Sequence, residues 1–164
     1  HHLEDPEAGW RTLCGLLRPG GVMLIALYSE PARQDIVAAR RFISERGHAP
    51  DADGIRRCRQ DILSLPEADW KAELLRRWDF FSASECRDLL FHVQEHRYTL
   101  PRLKETLDRL GLRFLGFQLD PATLSRYAQQ FPDDPDKANL DNWHRFETEN
   151  PRTFRAMYLF WVQQ

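Results

Sequence analysis

The sequence lacks three features that would by themselves indicate a class of protein. It has no glycine-rich G-x-G turn, no C-x-x-C pair, and no apolar run near the roughly 18–20 residues that a membrane-spanning helix needs. Its charge is nearly balanced, with 23 basic and 25 acidic side chains and a formal net charge of −2. The sequence therefore gives no electrostatic or hydropathic reason to expect nucleic-acid or membrane binding.

Cysteine is also scarce. The three cysteines, Cys14, Cys58 and Cys86, are far apart and odd in number. This spacing favours free thiols in a reducing compartment over a disulfide framework. Because no signal peptide is recognisable either, we expect a cytoplasmic protein. The 164 residues do contain 42% hydrophobic side chains, with five Trp and ten Phe, which is enough for the packed core of one domain.

The apolar pattern predicts helices that alternate with strands. The strongest strand signal is the unbroken run GVMLIALY, which follows an amphipathic helix and the sequence Pro19-Gly20-Gly21. After this run apolar residues recur with helical spacing over a long stretch, which ends in a helix whose leucines line one face. The predicted strands are 21–28, 112–119 and 153–163. This order of elements predicts an α/β fold.

The first thirty residues, HHLEDPEAGWRTLCGLLRPGGVMLIALYSE, resemble part of a class I S-adenosylmethionine-dependent methyltransferase, from the end of its fourth strand through its fifth. The residues that carry the match are His1, His2, Leu3, Asp5, Pro6, Leu16, Leu17, Pro19, Gly20 and Gly21. Two later blocks, RDLLFHVQEHRYTLPRLKETLDRLGLRFLGF and WHRFETENPRTFRAMYLFWVQ, are similar to a bacterial subgroup in which this domain commonly follows tetratricopeptide repeats. We therefore treat His1 and His2 as native residues and not as the remains of a tag.

The resemblance implies that residues 1–164 are the C-terminal half of a methyltransferase domain. The family's glycine-rich turn and its acidic residue for the cofactor ribose are absent, so most of the S-adenosyl-L-methionine site would lie in a missing N-terminal half. We expect a partial Rossmann-like fold with a three-stranded mixed sheet, in the order 5-7-6 of the family's strand numbering. Residues 31–99 would form a mostly helical insertion that acts as a lid or an acceptor-binding cap. The first strand would have an exposed edge that allows a homodimer.

The motif H-x-x-E-H, formed by His92, Glu95 and His96, has three interpretations. It is the signature of inverzincin peptidases, in which two histidines on one helix bind zinc and the glutamate is the base. Glu147 or Glu149 could supply the third ligand, but Pro101 follows His96 by five residues and RYTLP is typical of the approach to a new helix, so we expect no metal. A polar turn is the second interpretation. In the methyltransferase interpretation the three residues are catalytic, because His and Glu can position an acceptor and remove its proton.

Four further residues complete the predicted site. The resemblance implies that His1 and His2 lie near the cofactor's methyl group, so we expect them to bind the cofactor. Tyr28, at the end of the first strand, and Tyr98, at the end of the insertion, are expected to bind the substrate.

The predicted function is transfer of a methyl group from S-adenosyl-L-methionine to an oxygen or nitrogen nucleophile. This chain would supply the acceptor-binding side and would be inactive alone. The link to tetratricopeptide repeats favours a protein or peptide acceptor. The alternative is a non-catalytic interaction or dimerisation module derived from the same fold.

Overall fold

The computed structural model describes all 164 residues, which divide into two compact units. The first unit comprises His1–Ala32 and His96–Gln164, and the second comprises Arg33–Glu95. The chain therefore leaves the first unit once and later returns to it. No helix in either unit has the length and apolar character that a membrane span requires.

The chain forms α-helices and two short 3₁₀ helices. The 3₁₀ helices are Pro31–Arg33 and Trp78–Phe81. The α-helices are α1 (Pro6–Cys14), α2 (Gln34–Arg46), α3 (Ala52–Ser64), α4 (Asp69–Leu74), α5 (Ala83–Phe91), α6 (Leu100–Leu110), α7 (Pro121–Gln130) and α8 (Leu140–Glu149).

Four strands form one sheet in the first unit: β1 (Val22–Ser29), β2 (Arg97–Tyr98), β3 (Arg113–Phe117) and β4 (Tyr158–Gln163). Their order across the sheet is β2-β1-β4-β3. β4 is antiparallel to β1 and to β3, whereas β2 is parallel to β1. Strands β1, β2 and β3 therefore run in the same direction, and their carboxyl ends lie at one edge of the sheet.

The predicted partial Rossmann-like fold with a three-stranded sheet is wrong, because the sheet has four strands. The additional strand, β2, pairs with Tyr28 and Ser29 at the end of β1. The Glu30 amide donates a hydrogen bond of 2.8 Å to the Tyr98 carbonyl, and Arg97 forms a 2.7 Å ion pair with the Glu30 carboxylate. These long-range contacts stabilise a strand of only two residues, which is too short to produce a periodic pattern in the sequence.

The helices of the first unit cover one face of the sheet. Ile25 and Leu27 of β1 and Phe160 of β4 lie in a core that also contains side chains of α1, α6, α7 and α8. The alternate residues point to the other face, as strand geometry requires. On that face Leu24 and its cross-strand partner Trp161 are 42% and 40% exposed.

The starts of these helices follow local sequence signals. Asp5, Thr99 and Asp120 each accept a hydrogen bond from a backbone amide three residues later, and a proline stands in the first turn of each helix that follows. The Asn139 side chain caps α8 in a similar way. The capping residues and the apolar periodicity thus mark the same helices, and the apolar faces of these helices pack against the sheet.

The second unit has a core of its own, built from α2, α3, α4, α5 and the 3₁₀ turn Trp78–Phe81. Its fully buried side chains are Ile36, Ala39, Cys58, Ile62, Leu74, Phe80 and Cys86. Helix α3 spans thirteen residues. Asp51 caps it by accepting from the Gly54 amide at 2.7 Å.

Candidate functional site

A cluster of aromatic rings lies at the carboxyl end of β1. The ring centroids of His1 and Tyr28 are 4.5 Å apart, those of His1 and His2 4.3 Å, and those of His2 and Tyr28 6.0 Å. The amide of His96 donates a 2.8 Å hydrogen bond to the carbonyl of His1. The structure thus brings three predicted site side chains together with the backbone of a fourth predicted residue. We call His1, His2 and Tyr28 the histidine–tyrosine cluster.

Hydrogen bonding assigns the tautomers of two histidines. Nδ1 of His1 is 3.2 Å from the carbonyl oxygen of Ala26, so Nδ1 carries the proton and Nε2 keeps its lone pair. The opposite holds for His92, whose Nδ1 accepts from the Gln94 amide at 3.2 Å. In its neutral form His92 therefore carries its proton on Nε2. The lone pair of neutral His92 is therefore already bound to a backbone amide, although the sequence suggested His92 as a catalytic residue.

Glu95 is the partner of two arginines in the second unit. Its carboxylate accepts from Arg33 at 3.0 and 2.6 Å and from Arg40 at 3.2 Å, and its side chain is only 1% exposed. Arg33 and Glu95 are the first and last residues of this unit. A carboxylate held in this bidentate geometry stabilises the unit, and acting as a base would require it to leave both guanidinium groups.

The H-x-x-E-H segment does not have the geometry of an inverzincin site. Helix α5 ends at Phe91, and His92 follows it with φ −61° and ψ 130°, outside the helical region. Residues 92–96 are not helical, whereas the peptidase motif requires both histidines on one helix. In the whole chain no three His, Cys, Asp or Glu side chains are grouped so that they could hold a metal ion.

Tyr98 lies in the core of the first unit. It has no exposed surface, its ring stacks on Trp10 with an interplanar angle of 4°, and the Arg102 guanidinium lies 4.3 Å from its ring centre. Its hydroxyl has no hydrogen-bond partner, and burial raises its pKa. These contacts give Tyr98 a packing role, and it is not accessible to a substrate.

Three buried polar residues, none of which belongs to the predicted site, meet at the carboxyl end of β1. The Glu147 carboxylate accepts from the Ser29 hydroxyl at 2.7 Å and from the Tyr158 hydroxyl at 2.7 and 2.8 Å. Ser29 also accepts from the Ala32 amide at 3.1 Å, which fixes the turn after β1. We call Ser29, Glu147 and Tyr158 the buried carboxylate triad.

Burial dominates the electrostatics of this triad. It raises the pKa of Glu147, although the hydroxyls of Ser29 and Tyr158 act in the opposite direction by hydrogen bonding to the carboxylate. The pKa of Tyr158 is raised as well, chiefly by burial. A sequence signal for Glu147 existed, because it lies seven residues after Leu140 and four after Trp143, on the apolar face of α8.

Comparison with known proteins gives a partial match. No family model matches the chain. An uncharacterized protein of Synechococcus sp. is 33% identical in an alignment of 132 residues that covers 71% of this chain and 30% of that protein. The chain is thus similar to less than a third of the length of that relative.

Proposed function

We propose that this chain is the C-terminal part of an S-adenosylmethionine-dependent methyltransferase and supplies the acceptor-binding side. The acceptor would present an oxygen or nitrogen nucleophile, and a protein or peptide is the favoured class. The missing N-terminal half of the domain would bind most of the cofactor. The protein would act in the cytoplasm, which is consistent with its three free thiols.

The observation that carries this proposal is the histidine–tyrosine cluster at the carboxyl end of β1. Ligands of open α/β sheets bind outside the carboxyl ends of the strands, which is where these rings lie. The lone pair on Nε2 of His1 gives the cluster a proton acceptor, and the Tyr28 ring gives it an aromatic wall. Both are groups that an acceptor nucleophile would need for orientation and proton removal.

The residues present do not make a complete cofactor site. β1 continues into Glu30 and Pro31 and not into a glycine-rich turn, so no backbone cradle for a nucleoside follows it. The histidine–tyrosine cluster would form one wall of such a site at most. For this reason we assign to this chain the acceptor and its proton, and to the N-terminal half most of the cofactor site.

Calorimetry with S-adenosyl-L-methionine tests the proposal. We expect no binding by the chain alone, and a dissociation constant of about micromolar order when it is joined to the N-terminal half that the proposal requires. The joined protein should also transfer radiolabelled methyl groups to a mixed peptide library. Micromolar binding by the chain alone would contradict the division of the site, and no binding by the joined protein would contradict the proposal itself.

A variant of the cluster tests the role of His1. In His1→Asn the amide can still donate to the Ala26 carbonyl, but the nitrogen that accepts a proton is lost. Cofactor binding should persist while methyl transfer falls by about 10²–10⁴-fold, which is typical for a lost general base. His144→Asn, which changes an exposed histidine of α8, is the matched control.

The alternative is a non-catalytic interaction or dimerisation module, and one observation favours it. β2 covers only Tyr28 and Ser29 of the outer edge of β1, so the edge from Val22 to Ile25 has no strand beside it. Val22 is 50% exposed, and no charged side chain interrupts this edge. A homodimer of this chain in light scattering, together with no cofactor binding by the joined protein, would favour this module over the enzyme.

A further inference from the structure

A cleft opens in the first unit, beyond the carboxyl end of β3. One wall is the start of α7, with Asp120, Thr123 and Arg126. The other wall is the turn after α8, with Asn150, Arg152 and Thr153. The cleft has a volume of about 550 Å³, within the range of small-molecule sites. β4 separates β3 from β1, so this cleft is distinct from the histidine–tyrosine cluster.

Internal hydrogen bonds hold both walls in place. On one side Asp120 accepts from the Thr123 amide at 2.9 Å and from its hydroxyl at 2.7 Å. On the other side the amide and hydroxyl of Thr153 both donate to the Asn150 carbonyl, at 3.0 and 2.7 Å. The cleft is therefore shaped before any ligand arrives, which lowers the entropic cost of binding.

The charges of the cleft are mixed, and their arrangement limits the ligand. Arg126 lies over the Phe146 ring at 5.9 Å and donates to the Thr123 hydroxyl at 3.3 Å, which orients its guanidinium. Arg152 comes from the opposite wall. Asp120 stays ionised, because the hydrogen bond from the Thr123 hydroxyl lowers the pKa of its carboxyl. The first amides of α7 are already bound by Asp120, so the helix terminus itself offers little to an anion.

We propose that this cleft binds a zwitterion, with its carboxylate on Arg126 and its ammonium group on Asp120. Guanidinium groups recognise a carboxylate by charge-assisted hydrogen bonds. The fixed Asp120 carboxylate repels a simple anion but stabilises a neighbouring ammonium group. The ligand class is that of a free amino acid. This proposal does not depend on methyl transfer, so the two can fail separately.

Amide chemical shifts of the whole chain, titrated with three probes, test the proposal. L-alanine is the zwitterion, propionate carries only the carboxylate, and ethylammonium carries only the cation. Alanine at about 10 mM should shift the amides of Thr123, Asn150 and Thr153, and each single-charge probe should bind at least about fivefold more weakly. If no probe shifts these amides, or if propionate binds as tightly as alanine, the proposal is overturned.

Variants separate the two charges. Asp120→Asn keeps the helix cap, since Asn caps as well as Asp. It should weaken alanine binding about tenfold and leave propionate binding equal or stronger, because only the ammonium contact is lost. Arg126→Gln should weaken the binding of alanine and of propionate. The matched control is Arg145→Gln, which removes another arginine over an aromatic ring (Phe131, at 5.2 Å). Equal alanine affinity in Asp120→Asn and in the unmodified chain would overturn the assignment of the ammonium group.

Discussion

Replacement of Glu147 by Gln should alter stability in a pH-dependent way, because burial raises the pKa of this carboxyl. The side chain is 1% exposed, and the donors to it are the hydroxyls of Ser29 and Tyr158, which carry no charge. No cation of the first unit forms an ion pair with it. The carboxylate is therefore buried with hydrogen bonds but without an ion pair, and burial outweighs the weaker opposing influence of His144, so its ionised form is penalised.

The direction of this pH dependence follows from the protonation of Glu147 in the folded and unfolded states. Below the ordinary glutamate value of 4.5 the side chain is protonated in both states, and its contribution to stability is fully present. As the pH rises above that value, the unfolded chain ionises first, and stability is lost until the folded carboxyl ionises too. Within that window the free energy of unfolding falls by about 1.4 kcal/mol per pH unit relative to a side chain that cannot ionise.

The Gln variant cannot ionise at this position, so its stability lacks this pH dependence. At the acid end it should be less stable than the unmodified chain by about 1–3 kcal/mol, because the amide cannot reproduce the hydrogen bonds of the acid. This difference should shrink as the pH rises and can change sign. Urea unfolding, followed by circular dichroism at several pH values between about 4 and 8, measures it.

Glu149→Gln is the matched control, because Glu149 lies on the same helix but is exposed and bonded to Gln130. Its difference from the unmodified chain should be small at every pH. The reasoning would be refuted if the difference for Glu147→Gln stayed constant across the range or grew as the pH rose.

Three further predictions concern other parts of the chain. Glu95→Gln should destabilise the second unit by about 3–5 kcal/mol in urea unfolding, because it leaves two arginines without their carboxylate. A loss below about 1 kcal/mol would show that this ion pair contributes little. Burial raises the pKa of Cys58 to about 12 and that of Cys86 to about 11, so a disulfide reagent should modify these thiols slowly at neutral pH and rapidly in denaturant. Fast reaction of the native chain would contradict their burial. Gly111 ends α6 with φ +64°, so Gly111→Ala should lower the free energy of unfolding by about 1 kcal/mol. An unchanged free energy of unfolding would show that the helix end adjusts without strain.

Sequence reasoning succeeded where one segment carries its own signal. The apolar run behind Gly20 and Gly21 predicted a strand over 21–28, and β1 spans Val22–Ser29. The predicted third strand begins later, at Tyr158 and not at 153, because the chain turns after Asn150 and the Thr153 amide bonds to the Asn150 carbonyl. Local hydrogen bonds at a turn of this kind leave no clear mark on hydropathy.

Sequence reasoning failed where the decisive contacts join distant residues. β2 exists because Arg97 meets Glu30, a pair separated by 67 positions, and no window of sequence contains both. The same limit applies to Glu95, whose letter fits a base but whose partners Arg33 and Arg40 come from the far end of the second unit. Tyr98 is a further case, since only its contact with Trp10 shows that it is part of the core.

The parallel pairing of β1 and β2 has a consequence for the engineering of this chain. Two antiparallel strands can be joined by a two-residue turn, but parallel strands need a return path of about a dozen residues or more. Residues 33–95 are that path, whatever else they do. A deletion that shortened them to a tight turn would reverse the direction of β2 and break its pairing with Tyr28 and Ser29. A viable deletion must therefore keep a connection long enough for β2 to begin level with Tyr28 and run parallel to β1.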